Sequence, residues 1–327
     1  MTQISEIRVE NLMIDFPVGG GLFRRDHIRT AHDVSLTLRA GEALAIVGES
    51  GSGKSTTARA ISRIVKPTAG RILVDGHDIL APGRQPSRRD YAAKVQMIFQ
   101  DPFGSLNPVH TIRHHIARPL RLHHPDLSSA RIEDQVIATL TRVGLSPAAQ
   151  TADKYPHELS GGQRQRVAIA RAVAVGAQFI LADEPISMLD VSIRLGILNL
   201  MDDMKRDGIG FMYITHDIAT ARYFAERTAV MYVGHMVEWG ESDSVTQTPF
   251  HPYTRLLLDA VPQPGRRRQA QPPQARRAEI PVRRPDSRGC PFAARCPQMR
   301  EICRGTLPPV TQLKDDHYVR CHLAETR

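Results

Sequence analysis

No cysteine occurs in the first 289 residues of this 327-residue chain; the four it has are Cys290, Cys296, Cys303 and Cys321. The main body therefore carries no thiol for a disulfide framework or a thiolate metal site. Also missing is any run of 18 or more apolar residues, which excludes a helix that crosses a membrane alone. Met1 to Glu10 holds acidic residues and no apolar segment. No secretory signal is visible there, and a cytosolic location is the expectation. Acidic residues are the minority charge, 34 Asp and Glu against 43 Lys and Arg, for a net charge of +9. Such a balance suits nucleic acid or an anionic membrane surface. Much of the excess, however, lies in residues 262–288, a Pro-, Arg- and Gln-rich stretch that reads as a linker without a core. The length allows one large domain plus an appendage, or two modest domains.

What is present organises around Gly48-Glu49-Ser50-Gly51-Ser52-Gly53-Lys54-Ser55, which fits G-x-x-x-x-G-K-[ST] in full. The apolar run before it reads as a buried strand. After it, Thr56 opens a stretch with Ala58, Ile61, Ile64 and Val65 at helical spacing, the context a phosphate-binding loop requires. Backbone N–H groups freed by the glycines cradle phosphate oxygens, and the helix N-terminus adds partial positive charge. Lys54 reaches the terminal phosphates and the Ser55 hydroxyl suits Mg²⁺. A coincidental glycine-rich turn is the alternative, and the strand–helix context argues against it.

In chain order, Ile7–Leu12 and Val34–Leu38 look like antiparallel strands around a glycine-rich, basic loop, Gly19–Arg29. Phe16 or Phe23 is a candidate face for an adenine, or a plain core or loop aromatic. Arg71–Gly76 reads as strand and turn, and Val95–Phe99 as a strand ending at Gln100-Asp101-Pro102. From there to about Gly176 the pattern is helical, with breaks expected at Pro108, Pro119, Pro125 and Pro156. His110, His114, His115, His123 and His124 have no acidic or cysteine partner at ligand spacing, so a solvated helical face is expected. Ser160-Gly161-Gly162-Gln163 opens another helix, an anion-binding N-terminus with no obvious phosphate of its own. Phe179–Ala182 is a buried strand ending in Asp183-Glu184, and Gly210–Thr215 is one ending in His216. Ligands of parallel α/β sheets bind at the carboxyl ends of strands. The phosphate loop, Asp183-Glu184 and His216 are therefore expected around one site. Val230–Val237 and Glu238-Trp239-Gly240 form a final strand pair, and His251-Pro252-Tyr253-Thr254 opens a short helix.

With these pieces in order the chain resembles the ATP-binding subunits of ABC transporters over almost its whole length. The discriminating stretch is Leu159-Ser160-Gly161-Gly162-Gln163. Gln100-Asp101-Pro102, Glu184-Pro185-Ile186-Ser187 and His251-Pro252-Tyr253-Thr254 narrow the resemblance to the oligopeptide/dipeptide importer branch, and the long loop Gly19–Arg29 to its second ATPase. The fold implied is α/β: a phosphate-loop ABC ATPase domain (1–244) with a parallel-sheet core, an antiparallel β subdomain and a helical signature subdomain (about 101–176). A small C-terminal cysteine-rich extension (245–327) follows. By the same resemblance, Lys54 and the amides of Gly51 to Ser55 hold ATP, while Ser55, Gln100 and Asp183 serve Mg²⁺. Glu184 is the general base and His216 contacts the γ-phosphate. Asp190 speaks across a dimer of ATPases, in which Ser160, Gly161 and Gly162 complete the partner's site. Met188 departs from the family, which more often has Ala there.

The implied partners are two membrane permeases, a sibling ATPase or a second copy, and indirectly an extracytoplasmic solute-binding protein. The location implied is peripheral, on the cytoplasmic face of the cell membrane. An importer of nickel or another small solute shares these motifs. A soluble ABC ATPase on DNA or ribosomes is the rival class, with the linker arginines on phosphate. Against it, there is one ATPase unit rather than two and no long coiled-coil insertion, so no nucleic acid partner is expected. The cysteine spacing, x5, x6 and x17, lacks the tight pairs that zinc prefers. Four thiolates also suit a [4Fe–4S] cluster, which the resemblance favours over Zn²⁺ or bare reduced thiols.

Overall fold

The structure is a computed structural model that describes residues 4–19, 26–83, 85–261 and 282–324. In chain order it runs β1 (Glu6–Val18), β2 (Asp26–Arg39), β3 (Ala43–Val47), α1 (Lys54–Ile61), β4 (Ala69–Val74) and β5 (His77–Asp78). Next come α2 (Arg88–Lys94), β6 (Val95–Ile98), α3 (Pro102–Ser105), α4 (Ile112–His123), α5 (Ser129–Arg142), α6 (Ala148–Asp153) and α7 (Gly161–Val173). They are followed by β7 (Phe179–Asp183), α8 (Val191–Arg206), β8 (Gly210–Thr215), α9 (Ile218–Phe224), β9 (Arg227–Tyr232) and β10 (His235–Glu241). The last are α10 (Ser242–Gln247), α11 (Pro252–Asp259), α12 (Ile302–Gly305), β11 (Val310–Lys314) and β12 (His317–Arg320).

The chain forms two compact units. One comprises Met1–Ser5, Leu38–Glu42 and Ala81–Tyr213; the other comprises Glu6–Thr37, Ala43–Leu80 and Ile214–Arg327. In the first, β6 and β7 pair in parallel, with Val95 opposite Phe179 and Ile98 opposite Ala182, and β8 lies beside β7. Every residue of β7 is buried, as a parallel strand covered on both faces requires. The helices begin where their caps stand. Thr111 caps α4, Ser128 caps α5 and Ser160 caps α7, each accepting a first-turn N–H. One expected break is not there: α4 runs through Pro119. Ile116 and Leu120 on either side are fully buried, and packing of that face overrides the hydrogen bond the proline removes. Nor is His115 on a solvated face, because it is buried with Nε2 on the Asn107 carbonyl, 3.0 Å away. His110 and His114 do stack, at 3.9 Å between ring centroids.

In the second unit, β1 and β4 pair antiparallel within the sheet order β2-β1-β4-β5. Both long strands exceed the runs read from sequence: β1 continues past Leu12 to Val18, and β2 already starts at Asp26. Asp75 and Gly76, both at positive φ, turn β4 into β5. A second sheet segment pairs β3 with β9 in parallel, then β9, β10, β12 and β11 antiparallel in that order. The residues after Arg283 thus have something to pack on, since β12 and β11 extend the edge of β10. Glu238 on β10, fully buried, ties the tail down. Its carboxylate accepts the N–H groups of Phe250 (2.7 Å) and His251 (2.9 Å), and His317 Nε2 lies 2.8 Å away. Tyr232, Tyr253 and Phe292 pack as one aromatic cluster, with ring centroids 4.6–5.4 Å apart. The end of the expected linker is also built in. Arg283 is buried and donates to the carbonyls of Ser287, Arg288 and Gly289, so this end of the stretch is packed, contrary to the reading of it as coreless linker. The rest of that linker, 262–281, lies outside the described residues, as does Phe23.

Candidate functional site

The loop Gly48–Gly53 joins the fully buried strand β3 to α1. Three of its glycines are held by geometry. Gly53 has φ +98°, and a Cβ on it would sit 2.1 Å from the Thr30 carbonyl oxygen; one on Gly48 would sit 2.2 Å from that of Met231. Gly51, at φ +79°, faces open space. Lys54 is buried and turns its ammonium back into the loop, 2.7 Å from the Gly48 carbonyl and 2.9 Å from that of Glu49. The Ser52 hydroxyl is buried and has no hydrogen-bond partner among the described residues. Ser50 is exposed, and Ser55 and Thr56 are half-buried in the first turn of α1. Behind the loop, the β9–β10 turn Val233-Gly234, both at positive φ, is clasped on two sides. Gly234 donates to the Ser52 carbonyl and accepts from the His32 N–H. His216 belongs to this unit and stands exposed after Thr215, at the end of β8.

The other unit carries the remaining candidates. Asp183 is buried at the end of β7, and Glu184 follows it with φ 47°, a left-handed backbone that a non-glycine residue seldom adopts. Gln100 reaches Glu184, Nε2 to Oε2, at 3.1 Å, so two residues 84 apart in sequence meet. At the start of α7 the Ser160 hydroxyl accepts the Gln163 N–H and Gln163 Oε1 accepts the Ser160 N–H, a capping box. Gly162 is needed for packing, since a Cβ would stand 2.8 Å from Ile193 Cγ2. Asp190, exposed, is the N-terminal cap position of α8, and Met188 and Val191 beside it are exposed as well.

The cysteines gather in one segment but do not assemble as a metal site. The Cys290 N–H donates to the Cys303 carbonyl at 2.8 Å, and Cys290 and Cys296 pack against the Tyr232–Tyr253–Phe292 cluster. Burial pushes the thiol of Cys290 up to about 12 and that of Cys321 to about 11. No three His, Cys, Asp or Glu side chains among the described residues converge to hold a metal ion. As placed, these side chains therefore do not form a ligand set that fits a bound cluster or zinc.

A family model for ABC transporters matches residues 31–187, and one for the C-terminal region of oligopeptide/dipeptide transporters matches 237–303. The oligopeptide transport ATP-binding protein AppF of Bacillus subtilis (strain 168) is 40% identical over 312 residues, covering 94% of each chain. The chain belongs to the ATP-binding subunits of oligopeptide/dipeptide ABC transporters. The oligopeptide transport ATP-binding protein OppF of Escherichia coli (strain K12) is 42% identical across 90% of this chain and 87% of its own. The glutathione import ATP-binding protein GsiA of the same organism is 48% identical, over 80% of this chain and 42% of its own length. Among solved structures, the dimeric post-hydrolysis state of the ATP-binding cassette MJ0796 bound to ADP and Pi superposes with a TM-score of 0.64. It is 29% identical, over 72% of this chain and 98% of that one. The family member described here is an ABC ATPase, of mixed α/β fold with parallel strands flanked by helices. Among its described residues no helix is long and apolar enough to cross a membrane.

Sequence reasoning missed two residues that the structure brings to the loop. The Tyr253 hydroxyl accepts the Glu49 N–H at 2.9 Å, and Arg295 grips the Glu49 carboxylate at 2.7 and 2.9 Å. His-Pro-Tyr in the sequence was a signal for the first; nothing marked Arg295.

Proposed function

We propose that this ATPase works on the cytoplasmic face of the membrane and drives uptake of di- or oligopeptides through two permease subunits. It would be paired there with a sibling ATPase or a second copy. Its similarity to oligopeptide transport ATP-binding proteins supports the peptide assignment, and the dimeric cassette supports the pairing. The observation that carries the reading is the phosphate loop: two glycines, Gly48 and Gly53, that admit no Cβ, a buried serine hydroxyl and a lysine folded over the loop's own carbonyls. In that conformation Lys54 satisfies the acceptors that phosphate oxygens would displace.

The roles follow from chemistry. Amides of Gly51 to Ser55 and the Lys54 ammonium bind phosphate oxygens at the start of α1. Mg²⁺, arriving with the nucleotide, supplies charge neutralisation; Ser55 and Asp183 would hold it. Glu184 takes the proton of the attacking water, with Gln100 hydrogen-bonded to its carboxylate to fix the direction of that oxygen. His216 positions the same water. Ser160, Gly161, Gly162 and Asp190 serve a facing ATPase, so turnover needs dimer closure. Residues 1–244 form the ATPase domain and 245–327 the extension, whose cysteines are proposed as [4Fe–4S] ligands only after a rearrangement that brings the sulfurs together. Iron and sulfide analysis of anaerobically purified protein checks that part; a colourless protein with stoichiometric zinc overturns it.

Glu184→Gln tests the chemistry. Nucleotide binding is retained and steady-state hydrolysis falls by roughly 10²–10⁴; unchanged hydrolysis removes Glu184 from the base role. For the transport assignment, the chain is captured from gently solubilised membranes and its partners identified by mass spectrometry. Two multi-span permeases are expected, and ribosomes or DNA-repair proteins in their place overturn it.

A further inference from the structure

Glu49 is the first variable residue of the phosphate loop, and three of its groups are committed at once. Its carbonyl accepts from Lys54 at 2.9 Å and its N–H donates to the Tyr253 hydroxyl at 2.9 Å. Both of its carboxylate oxygens are held by the Arg295 fork, at 2.7 and 2.9 Å. The first bond lies inside the loop; the other two come from residues more than 200 positions away in sequence. Arg295 is itself fixed. Its side chain is 9% exposed, its guanidinium lies 5.6 Å from the Tyr232 ring centre and 5.8 Å from that of Phe292, and Nη1 donates to the Tyr232 hydroxyl at 3.3 Å. Planar bidentate recognition of this kind belongs to arginine and is not reproduced by lysine.

A carboxylate at the second position of a phosphate loop is electrostatically awkward. It places negative charge next to a site that must take up the larger negative charge of a nucleoside triphosphate. At an effective dielectric near 20 such repulsion reaches across roughly 8–10 Å with enough energy to matter. The structure resolves the conflict by pairing that charge with a guanidinium from the C-terminal segment.

We propose that Arg295 is a positioning residue for nucleotide binding, which holds the first turn of the phosphate loop through Glu49 and neutralises that carboxylate. The C-terminal extension is thereby part of the nucleotide site of its own chain, acting from behind the loop. The inference rests on reading Gly48–Ser55 as the nucleotide loop.

The test is the dissociation constant of a fluorescent ATP analogue in Mg²⁺, measured on the full chain. It is read for wild type, Arg295→Met, Glu49→Gln and the double variant, with Lys54→Ala alongside. Arg295→Met weakens binding on the order of tenfold when Glu49 is present. In the Glu49→Gln background the same change costs less than about twofold, because no carboxylate is left to compensate. An arginine that served stability alone would cost the same in both backgrounds, and that result overturns the proposal. So does wild-type affinity in Arg295→Met. Unchanged binding in Lys54→Ala instead overturns the loop reading, and the inference with it, whereas a normal loss there combined with a silent Arg295→Met sinks only the inference. If the methionine variant does not fold, Arg295→Lys carries the same comparison; it keeps the charge and loses the fork, with a smaller loss that Glu49→Gln again suppresses.

Discussion

Replacing Glu238 by alanine removes the acceptor for three donors, two of them buried and the Phe250 N–H half-buried. The carboxylate is fully buried and receives Phe250 N–H, His251 N–H and His317 Nε2, all at 2.7–2.9 Å. Each buried donor left without an acceptor costs about 1–3 kcal/mol. Neighbouring losses are not additive, and water entering the space left by the side chain recovers part of them. The expected destabilisation is therefore about 3–5 kcal/mol, the range for breaking a buried pair from one side. At roughly 2–4 °C per kcal/mol for a chain above 150 residues, the melting temperature falls by about 10 °C. Glu238→Gln refines the test. It keeps the shape but turns one acceptor oxygen into an NH₂ group that faces a donor, so at least half of the loss is expected to remain. Thermal unfolding by circular dichroism gives the size. Hydrogen exchange at Phe250 and His251 shows whether the amides that Glu238 holds are the ones released. A glutamine variant as stable as wild type, or unchanged protection at those two amides, refutes the account of how the extension is fastened.

Two further outcomes are expected. Burial pushes His251 down to about 4 from an ordinary 6.5, and its Nδ1 accepts the Tyr253 N–H at 3.0 Å, so the folded form holds a neutral ring. The unfolded chain binds the proton first. Stability contributed by this group is complete above about pH 6.5 and is lost as pH falls toward 4, by about 3 kcal/mol across the window. Denaturant titrations at several pH values read it by difference against His251→Asn, whose side-chain oxygen keeps the cap, and identical slopes refute it. In the phosphate loop, Gly53→Ala drives a Cβ to 2.1 Å from the Thr30 carbonyl oxygen and abolishes the native loop, whereas Gly51→Ala meets open space. The second change costs only the left-handed backbone, about 1 kcal/mol. Equal melting temperatures of the two variants contradict this reading.

Local chemistry explains what could be read in advance. The strand–loop–helix around Lys54, the acidic end of β7 and the cap at Ser160 are written in consecutive residues, and each stands where its spacing put it. Contacts between distant residues leave no such trace. Arg295 lies 246 positions from Glu49, and Glu238 lies 79 from His317; neither pair shares a period or a motif. The reading of Pro119 as a break failed because propensity is local, while the buried faces of Ile116 and Leu120 are tertiary. The thiols were legible as a count, but a count fixes no geometry, and among the described residues they form no metal-holding group. Residues 262–288 were read from composition as a linker without a core, and composition cannot foresee a guanidinium such as Arg283 closing on three carbonyls of its own turn.

The backbone of Glu184 has a consequence for any effort to harden this protein. Held at φ 47° without being glycine, it stores on the order of 1–3 kcal/mol of conformational strain. Glu184→Gly or Glu184→Asn would release much of it, and on the proposed base role the folded state would gain what the reaction loses. Selection for heat resistance alone would thus steer toward a well-behaved, inert ATPase. Glu184 is one of several non-glycine residues held at positive φ, and with the base role proposed for it, strain and chemistry would fall on the same residue.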